Sequence, residues 1–155
     1  MFRLPANLPA NARSQPGSIG RPARRGAAVV ELALVAPLLF TLILCTIEFG
    51  RAVMVANILT MAAREGARAG CVPGSANSEV TAAVNNELTG GGIPTGQVTT
   101  TIQVDSVTKD VSTAAVGSKV SVSVSVPVSA VTWLPSSFFL SSTSKLTGQA
   151  VMRRE

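Results

Sequence analysis

The chain has 155 residues, a formal net charge of +5 and a mean hydropathy of +0.40, which fits one small domain or a domain on a membrane anchor. The positive charge is confined to the N-terminus, because the eight basic residues from Ala27 onwards are matched by eight acidic residues. This placement argues against a nucleic-acid-binding surface, so no nucleic acid is predicted as a partner. The excess charge comes from Arg3, Arg13, Arg21, Arg24 and Arg25.

The N-terminal region combines a basic leader with a long apolar run. Residues 1–26 are rich in proline and lack apolar periodicity, which predicts a leader outside any folded core. In residues 27–48 the only charge before Glu48 is Glu31, and at about 1.5 Å per helical residue the run reaches about 30 Å, the thickness of a bilayer's hydrocarbon core. We therefore predict one membrane-spanning helix with its arginine-rich leader in the cytoplasm. A buried helix of a soluble protein is the alternative, but the rest of the chain is short for covering it.

Two kinds of cleaved export signal fit the run less well. A secretory signal peptide needs a shorter apolar region and a small-x-small exit site, and TIEFGR after the run supplies neither. The stretch LILC, residues 42–45, resembles a lipoprotein signal, but Leu44 stands where such signals have a small residue. A retained membrane helix is the favoured interpretation.

The helical pattern continues past the apolar run. Residues 49–70 contain no proline and place small residues on one face, which predicts a single helix over 27–69 that ends before Pro73. Pro37 is expected to kink the apolar half without ending it, because lipid offers the backbone no other hydrogen-bond partner. The small face either packs against another helix or is covered by the sheet of the same chain, and both interpretations stay open. Its residues are Ala52, Ala56, Ala63 and Ala67.

Residues 71–155 are predicted to form a small α+β domain outside the cytoplasm. The segment SEVTAAVNNELTGGG indicates a short helix with Ser78 as its N-cap and glycines at its end. The alternation in QVTTTIQV and KVSVSVSVPV indicates half-buried antiparallel strands, with Pro127 at a strand end or sheet edge, and residues 145–152 indicate a last strand. The domain therefore has a short helix and an antiparallel sheet of three or four strands. The apolar stripe of the short helix is Val80, Val84 and Leu88.

The aromatic residues and the two cysteines are assigned structural roles. Trp133, Phe138 and Phe139 precede the last strand and are predicted to fill the core or pack within a loop. A continuous helix would hold Cys45 and Cys71 about 39 Å apart, which is beyond disulfide reach. Two unpaired thiols are therefore favoured over a bridge between chains.

The sequence has no recognisable combination of catalytic residues. It contains no histidine, and its acidic residues are scattered singly without the spacing of metal ligands. There is no G-x-S-x-G motif, and the glycines at 90–92 precede a predicted strand instead of opening a helix. We therefore predict a structural protein without enzymatic activity, metal or cofactor.

A motif at the start of the apolar run points to a family. Gly26 is followed by four residues and Glu31 at the junction of leader and helix, which resembles the prepilin peptidase site of type IV pilins and pseudopilins. The string RRGAAVVELALVAPLLFTLILCTIEFGR together with AAREGAR, residues 62–68, resembles the TadE-like pseudopilins of tight-adherence pilus systems. Leu32 stands where pilins of this subgroup often have phenylalanine or tyrosine.

This resemblance implies a pilin-like fold, a processing step and an assembly role. A prepilin peptidase would cut between Gly26 and Ala27 on the cytoplasmic face of the bacterial inner membrane. The new amine at Ala27 would lie about one helical turn from Glu31, whose carboxylate is thought to meet such an amine as pilin helices pack. The implied partners are the peptidase, other pilins or pseudopilins and inner-membrane lipid, and the implied role is support of pilus assembly for adhesion or secretion.

Two alternatives accompany this interpretation. Glu31 is close enough to the membrane surface to reach the headgroups without any role in assembly. The whole chain is alternatively an uncleaved single-pass anchor whose outer domain binds an envelope or extracellular partner.

Overall fold

The computed structural model describes residues 23–132 and 144–155 and has an α+β fold, as predicted. The predicted leader at 1–22 and the aromatic residues Trp133, Phe138 and Phe139 lie outside the described residues. Contacts between Cα atoms divide the chain into a first unit that ends at Phe40 and a second unit, Thr41–Glu155. The main elements in chain order are α1 (Ala23–Gly70), α2 (Asn77–Gly90), β1 (Thr99–Val104), β2 (Lys119–Pro127) and β3 (Lys145–Arg153).

Helix α1 begins earlier than predicted and ends where predicted. It starts at Ala23 instead of Ala27, because alanine and arginine favour helix and only Gly26 opposes it. Its last turn closes with the amide of Cys71 donating to the carbonyl of Ala67 at 3.1 Å. The hydroxyl of Ser75, which is buried, donates to the carbonyl of Val72 at 2.8 Å. The turn after α1 is therefore held by the chain itself.

The prediction that Ser78 caps α2 is wrong. The N-cap is Ala76, whose side chain makes no capping hydrogen bond, and Ser78 lies exposed in the first turn. The helix begins at Asn77, whose side-chain oxygen accepts a hydrogen bond from the amide of Val111 at 3.0 Å, a contact across 34 residues. The predicted glycine stop is confirmed, since α2 ends at Gly90. The predicted stripe is buried and consists of Val80, Val84 and Leu88.

The sheet is antiparallel with the order β1-β2-β3, so the predicted alternation is confirmed. Strand β2 is central, and its valines point into the core while its serines point away. Val122 lies opposite Ile102 on β1 and opposite Ala150 on β3. Pro127 is the last residue of β2, the position where a missing amide donor disturbs the ladder least. The fully buried valines of β2 are Val120, Val122, Val124 and Val126.

Helix α1 packs closely on the sheet and on α2 through glycines. A Cβ atom added at Gly66 would lie 2.6 Å from Cγ2 of Val84, and one added at Gly70 would lie 3.0 Å from Cγ1 of Val120. The approach is closest at Gly148 of β3, where an added Cβ atom would lie 2.4 Å from the backbone carbon of Leu59. The β3 backbone therefore touches the α1 backbone directly, as only glycine permits.

The C-terminal arginine closes the core beyond the end of α1. Arg154 is 6% exposed, and its guanidinium donates to the carbonyls of Val111 at 2.8 Å, Ala114 at 2.9 Å and Val72 at 3.3 Å. These three carbonyls belong to two loops that are far apart in sequence. The planar guanidinium matches this arrangement because it presents several donors in a fixed geometry.

Replacing Arg154 with methionine is expected to lower the free energy of unfolding by about 2 kcal/mol, because one buried and two part-buried carbonyls would lose their donor while the aliphatic volume is retained. Thermal unfolding of the full chain in detergent measures this. Arg153→Met is the matched control, since Arg153 is exposed and a surface substitution should cost roughly 0.5 kcal/mol. Equal losses for the two variants would contradict a structural role for Arg154.

Candidate functional site

The first half of α1 is apolar and exposed within this chain. From Gly26 to Gly50 every residue is exposed except Ala36, Cys45 and Glu48, which are half-buried. Leu34 and Leu38, for example, are exposed to 77% and 74%. An exposed apolar surface of this extent marks contact with a membrane or with other proteins. Among the described residues α1 is the one helix that is long and apolar enough to cross a membrane.

The predicted cleavage bond lies inside α1, in its first two turns. Gly26 and Ala27 are both helical and exposed, and no atom lies within 4 Å of the position that a Cβ atom at Gly26 would occupy. Cleavage at this bond would require α1 to unwind locally, because a peptidase binds its substrate backbone in an extended form. Glycine lowers that cost, because it destabilises a helix interior by about 1 kcal/mol relative to alanine.

Glu31 lies one helical turn after Ala27, on the same side of α1. Its side chain is exposed and has no hydrogen-bond or ion-pair partner among the residues that the structure describes. Leu32 and Leu34, both exposed, lie within the next three residues. The carboxylate is therefore available to a group that comes from outside the described chain.

Helix α1 continues without a break through Pro37. This continuity is what the sequence leads us to expect of a proline in an apolar helix, because a broken helix would leave backbone groups unsatisfied. The kink at Pro37 remains a prediction.

The small residues on one face of α1 differ in how deeply they are buried. Ala63 and Ala67 are 0% exposed and belong to the core cluster that includes the β2 valines, so this chain covers them itself. Ala52 and Ala56 are half-buried. Of the two open interpretations, coverage by the chain's own sheet therefore describes Ala63 and Ala67.

A junction that the sequence did not reveal joins α1 to the connection after β2. The side-chain oxygen Oε2 of Glu48 accepts a hydrogen bond from Oγ1 of Thr132 at 3.0 Å. One turn further along α1, Nε of Arg51 donates to the carbonyl of Val131, which is buried. These contacts span 80 and 84 residues of sequence, so no local pattern could have indicated them.

Two acidic residues of the β1–β2 connection accept hydrogen bonds from backbone amides. A cleft of about 590 Å³ is lined by Asp105 and Asp110 among others. Asp105 accepts a hydrogen bond from the amide of Lys119 at 2.8 Å, and Asp110 accepts one from the amide of Ser112 at 2.9 Å. These backbone bonds lower the pKa of both carboxyl groups. Within residues 23–132 and 144–155, no group of three or more histidine, cysteine or acidic side chains could hold a metal ion.

The two cysteines are free thiols and half-buried, so no disulfide joins them within the chain, as predicted. Burial raises the pKa of the Cys71 thiol, although the nearby positive charge of Arg154 acts in the opposite direction. At neutral pH Cys71 is therefore a protonated thiol at the end of α1.

Residues 26–68 match the family model described as TadE-like protein. This region is TadE-like. The TadE-like segment begins at Gly26, directly before the predicted cleavage bond, and ends two residues before α1 does. It therefore coincides with the helix, while residues 71–155, with α2 and the sheet, lie beyond it. A comparison with curated proteins and one with solved structures each gave no match.

Proposed function

We propose that this protein is a minor pilin or pseudopilin that is inserted in the bacterial inner membrane and supports assembly of a tight-adherence pilus, and thereby adhesion or secretion. The observation that carries the proposal is the TadE-like segment, which coincides with a helix whose first half is apolar and exposed and which has the Gly26–Glu31 spacing near its start. The role is structural and requires no catalytic site or cofactor.

The distribution of charge supports insertion with the N-terminus in the cytoplasm. The five arginines that give the chain its net positive charge all precede the apolar run. Positively charged segments beside a membrane span are retained on the cytoplasmic side. The part of the chain after about Glu48, with α2 and the sheet, would then follow on the other side of the hydrocarbon layer. This orientation presents the Gly26–Ala27 bond at the cytoplasmic face, where a prepilin peptidase would act.

The position of Glu31 supports a role in assembly. An unpaired carboxylate in lipid costs several kcal/mol, so an isolated helix that carries it is penalised. Cleavage after Gly26 would create an ammonium group at Ala27, and the corresponding amine of a neighbouring subunit could pair with Glu31. The pairing would relieve the penalty only when helices are packed together, which couples processing to assembly.

Mass spectrometry of the protein from the membrane fraction tests processing. We expect the mature N-terminus at Ala27 in cells that contain the prepilin peptidase and at Met1 in cells that lack it. Gly26→Leu should keep Met1 in both strains, because a large side chain blocks the peptidase site, and Gly50→Leu is the matched control elsewhere in α1. An N-terminus at Met1 in every strain would contradict the proposal.

The second candidate is an uncleaved single-pass anchor whose outer domain binds an envelope or extracellular partner. The observation in its favour is that α1 runs without interruption from Ala23 through the predicted cleavage bond. The same mass measurement separates the two functions, because an anchor would keep Met1 when the peptidase is present.

A further inference from the structure

The second unit is arranged lengthwise along α1. Gly148 on β3 contacts α1 at Leu59, Val122 on β2 lies within 3.4 Å of the Cβ position at Gly66, and Val120 lies near Gly70. The sheet end at Lys119 therefore lies towards the C-terminus of α1, and the sheet end at Pro127 lies at the opposite side. We call the Pro127 end the near end of the sheet and the Lys119 end the far end.

Glu48 and Arg51 of α1 form their hydrogen bonds to the connection after β2 at the near end of the sheet. Val131 and Thr132, which bond to these two side chains, follow the last residue of β2 by four and five positions. The amide of Val128 donates to the carbonyl of Ser144 at 2.9 Å, so the start of β3 is held at the same place. Two strand ends are therefore tied to one short segment of α1.

This segment of α1 coincides with the edge of the hydrocarbon layer. The apolar run ends at Ile47, and at about 1.5 Å per residue Glu48 and Arg51 lie roughly 1.5 and 6 Å beyond it. The polar headgroup layer extends roughly 5 to 8 Å beyond the hydrocarbon on each side. Both side chains, and the backbone of the connection that bonds to them, then lie at headgroup level.

We propose that the near end of the second unit rests on the headgroup layer of the phospholipid bilayer, which is a lipid contact in addition to the membrane-spanning part of α1. This inference rests on the proposed membrane insertion. Ser129 in the connection is exposed and lies at the near end. Val116, exposed to 82%, lies beyond the far end, next to Gly117, whose amide donates to the carbonyl of Arg154. The end of α1 at Gly70 is about 35 Å from Ile47 along the helix axis, so the far end points away from lipid.

Fluorescence quenching by nitroxide lipids tests the contact on the full-length chain. Single labels are placed at Ser129→Cys, Val116→Cys and Leu39→Cys in a chain that also carries Cys45→Ala and Cys71→Ala, and each protein is reconstituted in phosphatidylcholine vesicles. We expect a headgroup nitroxide to quench the label at 129 several-fold more than the label at 116. Equal quenching at the two positions would overturn the inference.

The label at position 39 separates this inference from the proposed function. An acyl-chain nitroxide should quench it strongly if α1 spans the bilayer, so its failure overturns membrane insertion and this inference together. Strong quenching at 39 with equal quenching at 129 and 116 overturns the headgroup contact alone.

A matched pair of variants tests the junction itself. Glu48→Ala combined with Arg51→Ala should reduce headgroup quenching at position 129 several-fold, because neither side chain can then bond to the connection. Arg64→Ala, which changes an exposed arginine further along α1, should leave the quenching unchanged. Unchanged quenching in the double variant would overturn the role of the junction.

Discussion

Alanine at Gly148 is expected to lower the free energy of unfolding by about 3 kcal/mol, the upper part of the range for overpacked cores. The added Cβ atom would lie 2.4 Å from the backbone carbon of Leu59 and 2.4 Å from the backbone nitrogen of Thr60. No rotamer change can relieve this clash, because both atoms belong to the backbone of a helix. Strand β3 must shift away from α1, which opens the core between them.

Thermal unfolding of the full chain in detergent, followed by circular dichroism, measures the effect. Gly96→Ala is the matched control, because no atom lies within 4 Å of the added Cβ atom at that position. The control should unfold within a few degrees of the unmodified chain. A Gly148→Ala variant as stable as the control would show that α1 and β3 are further apart than the structure places them.

Alanine at Glu31 is expected to abolish incorporation into the tight-adherence system while leaving the protein in the membrane. Removing the carboxylate makes the apolar run more hydrophobic, so insertion is retained, but the charge that favours helix packing is lost. Co-purification of other pilins with the chain, together with microscopy of pili, measures the loss. The amount of the chain in the membrane fraction measures insertion.

Glu79→Ala is the matched control for this prediction, because Glu79 is an exposed acidic residue in the first turn of α2. It should leave both insertion and assembly unchanged. Unimpaired assembly of the Glu31→Ala variant would contradict the proposed role of the carboxylate and would favour the interpretation in which it only reaches the headgroups. Loss of membrane insertion would indicate that Glu31 acts on topology instead.

Most of the elements were predictable because their signals are local. The period of two in KVSVSVSVPV placed β2 correctly, since each valine of that strand meets the same buried face. The stripe of Val80, Val84 and Leu88 placed α2 in the same way. The start of α2 was mispredicted by two residues, since the N-cap is Ala76 and not Ser78. The side chain of Asn77 bonds to Val111 across the fold, and no local pattern around Ser78 indicates that contact.

The sequence by itself determined the apolar span, the Gly26–Glu31 motif, the alternating strands and the resemblance that the TadE-like match confirms, because each depends on residues near one another in the chain. Only the tertiary structure decided how closely α1 approaches β3 at Gly148, which carbonyls Arg154 holds and where the connection after β2 meets Arg51. The physical reason is that these are contacts across many residues of sequence. Their strength depends on distances that packing sets, and a local pattern of residue types carries no such distances.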